Sequence, residues 1–198
     1  MKLNLRKLQH IAGLSLQNGI RLHFDSIHLY NIKSYSTALF ISVISMEEIG
    51  KAFWADHFVF HSKIDGRTDI AFESEWIQML FGDHRGKQLS FLRQIFHKTD
   101  KKFYAFVNSK QLDILKQNSI YVGLQKPRGG QARTSGQIIN PSRIESSKAK
   151  KQIKLIHDFL TSEIQDSEKD IIYHDLAIFR KIFSKELLIR LNKESLKH

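Results

Sequence analysis

From Ser34 to Met46 the chain carries no charge, and then Glu47, Glu48 and Lys51 follow in quick succession. Few folds accept such a stretch. It is too short and too rich in serine for a membrane span, and its apolar residues cover most of a helical circumference. The run therefore predicts a helix buried on nearly all sides. Carboxylates and an ammonium at the end of a buried helix are costly unless partnered. Glu47 and Lys51 stand at i,i+4, and Glu48 and Lys51 at i,i+3, so the helix can supply part of that partnering itself. The rest must come from elsewhere in the chain, and that requirement is the first pointer to function.

The 198 residues include 31 Lys and Arg against 20 Asp and Glu, a net charge of +11. Such a balance favours an anionic partner: RNA, DNA or an acidic protein. There is no Cys, which excludes disulfide scaffolds and Cys-ligated zinc and suits a reducing cytoplasm. The N-terminal MKLNLRKLQH lacks the apolar core of a signal peptide, so a cytoplasmic protein without a membrane segment is expected. A chain of this length can bury about 70% of its unfolded surface in one core, and a single domain over 1–198 is expected.

The expected fold class is all-α. Leu16, Ile20, Phe24 and Ile27 form an apolar stripe on a first helix over 4–31, beside a polar stripe of Asn18, Arg21, Asp25 and His28. A second helix is expected over 34–61, and the brief connection at 30–33 makes the pair an antiparallel hairpin. Asp65 and Gly66 mark a loop. A third helix starts near Ile70, with Trp76 and Leu80 on its apolar face, and breaks at Gly82. Helical spacing resumes over 83–97, and 109–118 is helical. The short apolar piece 103–107 has no assignment, and 119–124 reads as extended. A Gly- and Pro-containing basic loop covers about 125–147. It precedes two C-terminal helices, 148–163 and 166–191, the second with Ile172, Leu176, Phe179, Ile182, Phe183 and Leu187 turned inward.

Four constellations could carry chemistry. The first is the stripe Asn18, Arg21, Asp25, His28 set against Glu47, Glu48 and Lys51. The plain structural alternative is a buried ion-pair network, Arg21 with Asp25 and Glu48 with Lys51, and the two readings weigh about equally. The second is Arg21 and His28 on one helical face. A His could exchange a proton with a ribose 2′-OH or a leaving oxygen while an Arg stabilises the phosphorane. Ten His in the chain make such spacings common by chance, and a surface His is the simpler reading. The third is the turn Asp83-His84-Arg85-Gly86-Lys87, able to hold a phosphate, or simply a helix start capped by Asp83. The fourth is the basic loop with Lys126, Arg128 and Arg133, suited to RNA backbone or to an acidic partner. There is no P-loop, GxGxxG, HExxH or GxSxG, and His57 with His61 finds no third metal ligand. Neither a metal nor a cofactor is expected.

Asn18-x2-Arg21-x3-Asp25, the SYSTALFISVISMEEIGKAF helix, the DHRGK turn with His84 and Lys87, and KQNSIYVGL from Lys116 to Leu124 with Tyr121 occur in that order. Together they resemble the AbiV family of bacterial abortive-infection proteins, in the HEPN superfamily. The likeness runs over roughly 10–127, and Glu47-x3-Lys51 is also similar to the general HEPN Glu-x3-Lys/Arg signature. The resemblance implies an antiparallel helical bundle that forms a homodimer. It also implies an antiphage role triggered by a phage-encoded product, and RNA cleavage that stops host translation. The usual HEPN Arg-x4-6-His motif lies later in the bundle than the first helix, whereas here that kind of spacing occurs only at Arg21 and His28. Either a catalytic set is rebuilt from Arg21, Asp25, Glu47, Glu48, Lys51 and His84, or the nuclease chemistry is lost. In the second case the protein is a non-catalytic module that docks a phage or host protein. Binding roles, toward RNA or a partner protein, fall to Asn18, His28, Arg85, Lys87, Tyr121, Lys126, Arg128 and Arg133.

Overall fold

The computed structural model describes residues 4–64, 81–95, 101–124, 138–168 and 177–196. The expected third helix with Trp76, and the loop residues Lys126, Arg128 and Arg133, lie outside the described residues. So do Ile172 and Leu176.

Helix α1 (Leu5–Asn31) begins where Asn4 accepts the Lys7 N–H at 2.9 Å, a side-chain cap for an otherwise orphaned donor. It ends without a glycine. Lys33 takes a left-handed φ of 65°, its N–H reaches the Tyr30 carbonyl, and the Ser34 N–H reaches the Leu29 carbonyl, each at 2.9 Å. These are the two bonds of a Schellman closure, so the tight turn leads straight into α2 (Tyr35–Ile64). Tyr30 and Tyr35 pack across the turn with ring centroids 5.1 Å apart.

One glycine lets the hairpin close tightly, and a second lets another helix cross α2. A Cβ on Gly19 would lie 2.6 Å from Cγ1 of Ile49, and Ser45 Oγ donates to the Gly19 carbonyl at 2.7 Å. A Cβ on Gly50 would overlap the Lys87 carbonyl of α3 (His84–Gln94). The small residue between Glu48 and Lys51 thus lets a second backbone cross α2 where the charges sit.

Helices α4 (Lys101–Asn108) and α5 (Gln111–Asn118) follow, joined through Lys110 at a φ of 62°. The short apolar piece 103–107 is therefore helical. Strand β1 (Gly123–Leu124) pairs antiparallel with β2 (Ile138–Ile139), and Pro141–Arg143 forms one 3₁₀ turn. The end of the expected loop is thus ordered by pairing and by Asn140, which accepts the Ser142 N–H at 3.0 Å. Helix α6 (Ser146–Glu168) lays Ala149, Ile153, Ile156 and Leu160 into the core, all fully buried. Phe159 is its hub, 4.8 Å from Phe91 of α3 and 5.5 Å from Phe53 of α2.

The final helix expected over 166–191 is not continuous. Residues 166–168 belong to α6, and the described residues from 177 on form α7 (Ala177–Ile182) and α8 (Lys185–Lys193). The break falls at Ser184, whose Oγ caps α8 by accepting the Leu187 N–H at 3.3 Å. The second helix also runs three residues beyond its expected end at 61. The all-α architecture with two long N-terminal helices stands.

Candidate functional site

Glu47 and Glu48 are neighbours on α2, and successive helical positions diverge by about 100°. The two carboxylates consequently enter different networks. Glu47 is 3% exposed. Its Oε1 accepts from Gln88 Nε2 at 2.7 Å and from Lys116 Nζ at 2.8 Å, and its Oε2 meets His84 Nδ1 at 2.7 Å. Helices α2, α3 and α5 therefore converge on one carboxylate. Lys116 is itself buried and holds Asp113 at 2.9 Å in an ion pair whose angle falls outside hydrogen-bond geometry.

Glu48 turns toward α1. Its Oε1 takes Lys51 Nζ at 2.7 Å and its Oε2 takes Asn18 Nδ2 at 3.2 Å. Asn18 Oδ1 in turn accepts from Arg21 at 2.9 Å, and Arg21 pairs with Asp25 at 2.7 Å. This chain grades outward: Lys51 and Glu48 are 16% and 19% exposed, Arg21 and Asp25 63% and 48%. Lys87 links the two networks electrostatically. Its ammonium donates to the Phe81 carbonyl at 3.2 Å. Burial lowers its pKa, Glu47 and Glu48 act in the opposite sense, and Lys51 and Lys116 reinforce the lowering.

Several sequence expectations change here. The i,i+4 pair Glu47–Lys51 is not formed, because Glu47 is saturated by long-range donors and Lys51 goes to Glu48. Lys87 does not project from the DHRGK turn as a solvated phosphate ligand: it is buried. Asp83 sits at the N-cap position of α3 without a side-chain cap bond. Arg21 and His28 do not form a unit, since Arg21 is engaged by Asp25 while His28, in the last turn of α1, is exposed and makes no hydrogen bond or ion pair with the cluster among the described residues. Arg85 is half-buried, and Tyr121 is 65% exposed beyond α5. Neither joins the networks. Gln88, Asp113 and Lys116 join the site with no local sequence pattern that marks them. Lys116 opens the KQNSIYVGL segment, but it lies 69 positions from Glu47, and no helical spacing connects them.

An ionised carboxylate can only accept, so His84 Nδ1 carries the hydrogen toward Glu47, and Nε2 is the ring nitrogen free of that bond. The His84 side chain is 51% exposed. The arrangement is a buried carboxylate that orients a half-exposed imidazole, while the cations Lys51 and Arg21 belong to the neighbouring Glu48 network. A cavity of about 420 Å³ adjoins Arg21, between α1 and α7–α8, with Gln17, Lys181 and Arg190 also on its walls. Arg190 stacks on Phe24 at 3.8 Å. Among the described residues its lining holds three cations and no acid, with Arg21 paired to Asp25 and Arg190 to Glu194 at 2.8 Å, and such a lining suits phosphate.

A family model described as AbiV, within the HEPN group, matches residues 7–161. The chain belongs to the AbiV family. It is thus an abortive-infection protein of HEPN type. No curated protein and no solved structure matches it. The span shared with AbiV contains every member of both charge networks and stops short of α7 and α8, so Lys181 and Arg190 lie beyond it. Among the described residues of this AbiV chain no helix is long and apolar enough to cross a membrane.

Proposed function

We propose that this AbiV-family chain is an effector held silent until a phage product engages it, and that it then blocks host translation by metal-independent RNA cleavage. The observation that carries this reading is the 2.7 Å Glu47–His84 contact with His84 half exposed. In the proposed step the ribose 2′-oxygen attacks its own phosphorus as a base takes its proton. The bond from phosphorus to the 5′-oxygen breaks, and that oxygen receives a proton, leaving a 2′,3′-cyclic phosphate. His84 Nε2 serves as one of the two proton-transfer groups. Arg21 and Lys51 stabilise the charge on the phosphorane, and Arg21, Lys181 and Arg190 hold the flanking phosphates. Two proton-transfer groups are needed and each chain offers one such imidazole among the described residues, so a homodimer in which two copies face one substrate completes the set. Lys126, Arg128 and Arg133 add backbone contacts. Incubating the protein with tRNA and total RNA in EDTA, with and without extract from phage-infected cells, tests this reading. The expected result is fragments ending in cyclic phosphate that need both the extract and His84. RNA left whole in every condition while the protein still protects cells removes the nuclease.

One observation favours a second reading. Glu48–Lys51 and Arg21–Asp25 satisfy each other, as in a network that only fixes helix register. In that case the protein docks a phage or host protein without chemistry, and Arg21 and Lys51 variants lose protection only in proportion to lost stability.

A further inference from the structure

A second cavity, of about 360 Å³, opens between α4, α5 and α6. Its walls are apolar: Phe103 and Phe106 from α4, stacked with centroids 6.2 Å apart, and Leu112 and Leu115 from α5. Its polar lining is the buried Gln152 and the exposed Lys102, Lys148 and Lys151, and among the described residues no acidic side chain lines it. Lys148 holds Glu145 only loosely, at 3.8 Å. An apolar interior with cations on its solvent side matches a ligand with an apolar body and an anionic head. The volume lies at the small end of ligand pockets, which selects one compact molecule rather than the face of a partner helix.

We propose that this cavity is a binding site for a small anionic amphiphile, such as a medium-chain acyl carboxylate. Its occupancy reaches Glu47 through α5. That eight-residue helix carries Leu112 and Leu115 on the cavity wall and Lys116 on the buried carboxylate. It is entered through Lys110 in a left-handed conformation, which is unfavourable for a side chain with a Cβ. A ligand wedged against Leu112 and Leu115 therefore acts on the same short element that positions the Lys116 ammonium. The site does not depend on the nuclease reading.

Calorimetric titration of the full chain with hexanoate, octanoate and decanoate, and with decyltrimethylammonium as cationic counterpart, tests the proposal. Affinity is expected to rise about fourfold per methylene, and decanoate to bind at least tenfold more tightly than the ammonium. Reversing Lys148→Glu and Lys151→Glu together, at exposed helix positions, should weaken decanoate at least tenfold, while Lys193→Glu, an equivalent exposed change on α8, should leave it unchanged. Decanoate should also move the His84 ring resonances. Equal binding of anion and cation, affinity flat with chain length, or a double variant that binds like wild type would overturn the site. Binding that leaves His84 unmoved would refute its link to Glu47.

Discussion

Replacing Lys116 by Met isolates the buried half of the charge cluster. The side chain is 6% exposed and its partner Glu47 is 3% exposed, so the variant leaves a carboxylate inside the protein without its ammonium. Breaking a buried ion pair from one side costs about 3–5 kcal/mol. Gln88 and His84 still donate to Glu47. The expected loss is therefore about 3 kcal/mol, the low end of that range, or roughly 10 °C in Tm for a chain of this size. Urea denaturation reads it as a lower midpoint at unchanged slope. The double variant Glu47→Leu with Lys116→Met should lose less than the two single variants summed, by a coupling of about 2 kcal/mol. A Lys116→Met protein within about 1 kcal/mol of wild type would refute the claim that Glu47 depends on this ammonium.

Three further outcomes follow from the geometry. Gly50→Ala drives a methyl into the Lys87 carbonyl of α3 and should cost about 3 kcal/mol; thermal melting checks it. His23, fully buried and 3.3 Å from His157, has its pKa lowered from 6.5 to about 3 by burial first and by His157 second. Its folded form resists the proton that the unfolded chain accepts, so its contribution is fully present above pH 6.5 and is lost as pH falls from 6.5 toward 3. At pH 5 that loss is about 2 kcal/mol relative to pH 7, and His23→Phe should flatten the measured stability between those values. Arg21→Gln removes an exposed ion pair and should change stability by less than about 0.5 kcal/mol, yet abolish RNA cleavage and phage protection; a variant that still protects fully argues against Arg21 as a phosphate-charge group.

The two long helices were legible because their apolar spacing is local and continuous. The need for partners at Glu47 and Glu48 was legible too, since a charge at the end of an uncharged run has to be met somewhere. Which partners meet it was not. Asn18 and Lys51 lie within reach of helical spacing or of hairpin geometry, whereas Lys116 arrives on α5 by tertiary packing alone. Lys87 looked solvated because its neighbours in the DHRGK turn are polar; packing against Gly50 draws it inside. The break at Ser184 was hidden because Phe179, Phe183, Leu187 and Leu191 keep i,i+4 spacing straight through it, while the hydroxyl that caps α8 leaves that period undisturbed. At Lys33 a left-handed closure is made by a residue that carries no turn signature.

The central claim is that buried Glu47 orients a half-exposed His84 for proton transfer, and His84→Asn tests it most directly. Asn keeps a hydrogen-bond donor for Glu47 but offers no titrating nitrogen. Measured side by side, Tm should stay within a few degrees of wild type while RNA cleavage and phage protection are both lost. A His84→Asn protein that melts like wild type and still cuts RNA and protects cells would contradict the account.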